Sequence, residues 1–89
     1  MRFSNSEKIL LQSQLSKWKQ TQAYDTSKIA LIQEVENRVE NNQIIVGNYL
    51  HFLFIELKHI ISDSTSSEEE IYALKLLNQK ILRRINANK

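Results

Sequence analysis

The chain has 89 residues, of which 42% are apolar, carries a net charge of +2 and contains no cysteine and no proline. That length suits one domain, and the missing cysteines exclude disulfides, thiolate metal sites and cysteine nucleophiles. With Gly47 as its single glycine, the chain cannot build a phosphate-cradling or dinucleotide-binding loop, and it lacks the turn residues of an all-β fold.

Four segments show helical period. The first covers about 5–22. Ser4 and Glu7 are spaced as a capping box, in which the serine oxygen and the glutamate each satisfy a backbone N–H at the helix start. Leu11, Leu15 and Trp18 then follow at i, i+4 and i+7, widened by Leu10, with Gln12, Ser13, Ser16, Lys17 and Lys19 on the solvent side. After a polar break, Asp25 or Thr26 caps a second helix. Its stripe is Ile29, Ile32, Val35 or Glu36, and Val39, with Leu31 off the stripe and Glu34, Glu36, Arg38 and Glu40 outside. A turn is expected at Asn41, Asn42 and Gln43, because asparagine tolerates the left-handed conformation that ends helices.

The third segment, 44–62, is the most apolar, and its apolar residues occupy most of a helical circumference. Asn48, His51, Glu56, Lys58 and His59 interrupt it. Each charge near a bilayer centre costs about 2.5–3.5 kcal/mol, so a central bundle helix fits better than a membrane span. Strand is the rival reading at 44–46 and 52–55, where β-branched and aromatic residues concentrate. A polar loop over 63–67 leads into a second capping-box spacing, Ser67 and Glu70, with Glu68, Glu69 and Glu70 at the positive end of the helix dipole. Ile71, Leu74, Leu77, Ile81 and Ile85 form the last stripe, and Lys80, Arg83 and Arg84 lie toward the C-terminal end. The segments add up to an all-α protein, an antiparallel up-down four-helix bundle forming a single domain over 1–89. Trp18, Tyr24, Tyr49, Phe52, Phe54 and Tyr72 are its large anchors, most of them expected in the core. Of Tyr49, Phe52 and Phe54, one is expected to stay exposed or to pack on a further helix. The polar N-terminal residues hold no apolar run of a signal peptide. Together with the missing cysteines, that points to the cytoplasm.

Catalytic and metal-binding patterns are sparse. His51 and His59 are eight apart, not the i, i+4 of a helical zinc site. Glu56 and His59 match half of a di-iron motif, with no second copy in the chain. No serine sits in a nucleophile elbow. The chain therefore reads as a non-enzyme with no metal and no cofactor, acting by binding. Lys80, Arg83, Arg84 and Lys89 are the candidate partner-binding residues, as a positive end suited to phosphates or to an acidic partner surface. The competing reading of the same residues is dipole complementation and solubility.

The layout resembles the immunity proteins that protect producers of class IIa, pediocin-like bacteriocins, the enterocin A immunity type. It is carried by the short first helix leading through a polar break into 27–35, by the apolar stretch 44–53, and by the Ser/Thr loop before 68–74. The resemblance implies a cytoplasmic antiparallel four-helix bundle, with peripheral membrane contact. Such a protein recognises the bacteriocin on its sugar-transporter receptor at the inner membrane face, with specificity in the part matching 80–89 here. A second class of function stays open, a small phage- or plasmid-type regulator that binds nucleic acid or inhibits a host protein. Nucleic acid is the weaker option, since the glutamates of the second helix would repel phosphate. A homodimer through the third helix is a further alternative.

Overall fold

In a computed structural model, which describes residues 1–22, 24–63 and 67–87, every regular element is an α-helix. They are α1 (Asn5–Thr21), α2 (Thr26–Glu40), α3 (Asn48–Asp63) and α4 (Glu68–Ala87). The all-α class and the number of helices are as the sequence leads one to expect. The chain divides into two compact units, Arg2–Ile45 and Val46–Lys89 with Met1. Each is built around one pair of packed helices, α1 with α2 and α3 with α4.

In the first unit the caps set the helix starts. Ser4 Oγ accepts from the Glu7 N–H at 3.3 Å, and Glu7 Oε1 accepts from the Ser4 N–H at 2.8 Å, which completes the capping box. Asp25 opens α2 by accepting from the Lys28 N–H at 3.0 Å. The turn at 41–43 is present. Asn42 takes φ +58, and the Gln43 N–H donates back to the Arg38 carbonyl at 2.8 Å. Leu11 and Leu15 of α1 and Ile32, Val35 and Val39 of α2 are buried, while Trp18 and Ile29 are half-buried and Leu31 is exposed. The two helices run antiparallel. Lys8, early in α1, donates to Asn42 Oδ1 just past α2 at 2.7 Å, and Lys19, late in α1, pairs with Glu36 at 3.0 Å. Gln14 is buried beside the leucines, a position that its polar side chain does not suggest.

In the second unit α3 begins at Asn48, not at Ile44. Residues 44–46 lie outside any helix, with Ile45 buried between exposed Ile44 and Val46. The physical reason is local. Three consecutive β-branched residues lose χ1 freedom in a helix, and Gly47 sits at φ +59, which closes off helical continuation. The Gly47 carbonyl then accepts from the Leu50 and His51 N–H groups at 3.1 and 3.2 Å, opening α3. Leu50, Leu53, Leu57 and Ile60 are buried, and Glu56 is buried among them in the same stripe. At the other end Asp63 still belongs to α3. The middle of the expected polar loop, 64–66, lies outside the described residues.

Ser67 Oγ accepts from the Glu70 N–H at 3.3 Å at the start of α4. Leu74, Leu77, Ile81 and Ile85 are buried and Ile71 half-buried, so the last stripe is as its spacing predicts. Asn78 falls inside that stripe and is 6% exposed. Its Nδ2 donates to the Phe54 carbonyl of α3 at 3.4 Å, and its Oδ1 has no hydrogen-bond partner.

The aromatic residues correct the expectation that most of them form the core. None is buried. Trp18, Tyr49, Phe52 and Phe54 are half-buried, and Tyr24 and Tyr72 are exposed. Leucine, isoleucine and valine fill the interior, and the rings lie at its margin. There Lys28 sits over Trp18 at 6.0 Å and Lys58 over Phe54 at 5.6 Å.

Candidate docking surface

The basic residues singled out from the sequence lie on α4. Lys80, Arg83 and Arg84 are all exposed, and Lys89 lies outside the described residues. Spacings of three and four place them within about one turn of each other. By helical phase, Arg84 borders the buried stripe of Leu74, Leu77, Ile81 and Ile85, Lys80 lies about a quarter turn from its centre on the same side, and Arg83 stands nearly opposite it. The last turn of a helix carries partial negative charge, so cations there also favour the fold. Arg84 is the basic residue of that turn, while Glu68, Glu69 and Glu70 occupy the first turn. The helix is therefore strongly polarised, acidic at its start and basic at its end.

The outward side of α4 also carries apolar surface that sequence reasoning missed. Tyr72 is 65% exposed and Leu76 46% exposed. Tyr72, Leu76, Gln79 and Arg83 follow at i, i+4, i+7 and i+11, a second helical stripe turned away from the first. The spacing carries the signal, but Tyr72 counts among the anchors mostly expected in the core, and Leu76 lies off the apolar stripe that the sequence picks out.

The histidines of α3 are both exposed. The Glu56–His59 half-motif is split by the fold, because Glu56 is 1% exposed and His59 faces solvent. Among the described residues no three His, Cys, Asp or Glu side chains are grouped to hold a metal ion.

Among the described residues, the first unit holds cavities on two of its faces. One of about 330 Å³ is lined by Arg2, Phe3, Lys8, Val39, Asn42 and Gln43. The other, of about 270 Å³, is lined by Lys19, Gln33, Glu36, Asn37 and Glu40, and the Lys19–Glu36 ion pair is part of its wall. Neither cavity involves the basic residues of α4. Among the described residues, no helix is long and apolar enough to cross a membrane. Compared with known families, curated proteins and solved structures, the chain finds no match.

Proposed function

We propose that this chain is a non-catalytic binding protein that docks through the basic end of α4, and that its role is immunity to a class IIa bacteriocin. The observation that carries the docking reading is the exposure of Lys80, Arg83 and Arg84 together at one end of one helix. Three cations within a turn can approach anionic headgroups or an acidic receptor face at once. Near an anionic membrane surface each contributes about 1 kcal/mol. The immunity role rests on the layout of the chain: a capped first helix, an apolar third segment, and a Ser/Thr loop before an acidic helix start. In that role the protein acts from the inner membrane face on the receptor already loaded with bacteriocin, and it occludes or locks the pore without covalent chemistry.

The test is a protection assay. The chain is expressed in a sensitive bacterium, which is then challenged with a panel of pediocin-like bacteriocins. Survival against at least one member is expected. Uniform killing, with the protein shown to be expressed and helical, overturns the immunity role. In that event a salt-sensitive shift of DNA in a gel would favour a nucleic-acid regulator, since phosphate contacts weaken steeply with salt.

A further inference from the structure

The outer stripe of α4 is self-complementary. Its centre is Leu76, with Tyr72 exposed one turn before it. Glu68 and Arg84 lie eight positions either side of Leu76, and Glu69 and Arg83 seven positions either side. All four charged residues are exposed. A helix with acid at one end, base at the other and an apolar centre can pair with a copy of itself turned end over end. With Leu76 on the two-fold axis, helical phase sets Glu68 beside Arg83 of the second copy and Glu69 beside Arg84 of the second copy. The Tyr72 ring then lies beside the second copy's Arg83 guanidinium, the arrangement of a cation–π contact. A parallel pairing would place glutamates on glutamates and arginines on arginines, so charge selects the antiparallel one. The contact is isologous, the same patch on both partners, and it closes at two copies.

We infer that this chain forms a weak antiparallel homodimer through the outer face of α4, with Leu76 on the two-fold axis and the acidic start of each helix against the basic end of the other. The seam from Glu68 to Arg84 is about 24 Å long at the helical rise. One helix face of that length falls short of the roughly 800 Å² per partner of a stable interface. The dimer is therefore concentration-dependent. Its ion pairs are exposed and screened, so salt weakens it. The inference stands apart from the docking reading. A second copy would cover Arg83 and Arg84, so the two occupants compete for the same residues.

Sedimentation across a concentration series up to millimolar, at low and high salt, gives the first readout. Reversible dimerisation that salt weakens is expected. Charge reversal gives the second. E68R/E69R alone and R83E/R84E alone each place like charges across the seam, and each should weaken self-association by about tenfold or more. Mixed together, the two variants restore both acid–base ends and should associate as a heterodimer. Because the natural chain has no cysteine, crosslinking gives a third readout that does not depend on the charge variants folding. Leu76→Cys should oxidise to a linked dimer faster than Ser13→Cys, which places its thiol at an exposed position of α1. A wild-type chain that stays monomeric at low salt overturns the proposal. So does a mixture that associates no better than either variant alone, or crosslinking that is equal at the two positions.

Discussion

Replacing Asn78 with leucine should stabilise the protein, although it removes a hydrogen bond. Asn78 is buried in the α4 stripe between Leu74 and Leu77 on one side and Ile81 and Ile85 on the other. Its Oδ1 is buried without a partner, and an unmet buried acceptor costs about 1–3 kcal/mol. The one bond that the side chain makes, to the Phe54 carbonyl, is 3.4 Å long. At that length it contributes at the low end of the usual range, about 0.5 kcal/mol. Leucine has a similar shape and buries more apolar area, worth about another 1 kcal/mol. With the unmet acceptor taken at the low end of its range, the balance is a gain of about 1.5 kcal/mol. For a chain of this size that raises the midpoint of thermal unfolding by roughly 5–10 °C. Urea titration followed by far-UV circular dichroism measures the same gain at an unchanged m-value. A lower midpoint for Asn78→Leu would refute the reasoning, because it would mean that the amide is satisfied in the folded state.

Leu53 is fully buried in α3. Leu53→Asp should cost on the order of 4 kcal/mol or more, enough to unfold a domain of marginal stability; helical circular dichroism retained at room temperature would contradict its placement in the core. Gly47 holds φ +59 with nothing within 4 Å of where a Cβ would stand. Gly47→Ala should therefore destabilise by about 1 kcal/mol through backbone strain alone, read as a small drop in the urea midpoint, and an unchanged midpoint would show that the turn relaxes.

The parts of the fold legible in the sequence are those where several local signals agree. Ser4 with Glu7, Asp25, and Ser67 before three glutamates each mark a helix start by chemistry that needs no tertiary context. The α4 stripe is legible because its apolar residues keep strict spacing. The stretch 44–47 was not, because apolar content alone made it look continuous with α3. The deciding facts are the β-branched run and the left-handed Gly47, which are properties of the backbone rather than of hydrophobicity. Gln14, Glu56 and Asn78 were missed for a related reason. Each sits at a spacing of three or four from buried leucines or isoleucines, so period places it inside, while residue type suggests outside. Tyr72 and Leu76 show the converse, apolar residues held outside by phase. At the candidate surface, the sequence located Lys80, Arg83 and Arg84 correctly as exposed residues of one helix. It did not show that Arg83 shares that helix's outer side with Tyr72 and Leu76.

The central claim is that the basic end of α4 is a docking surface. Its most direct test is co-sedimentation of the protein with inner-membrane vesicles from a sensitive strain, with and without added bacteriocin. The wild-type chain should pellet with bacteriocin-treated vesicles. The Arg83→Ala/Arg84→Ala variant should remain in the supernatant while keeping the same helical circular dichroism, because both side chains are exposed and their loss leaves the buried stripe intact. Equal pelleting of the two proteins, or none of the wild type, would contradict the account.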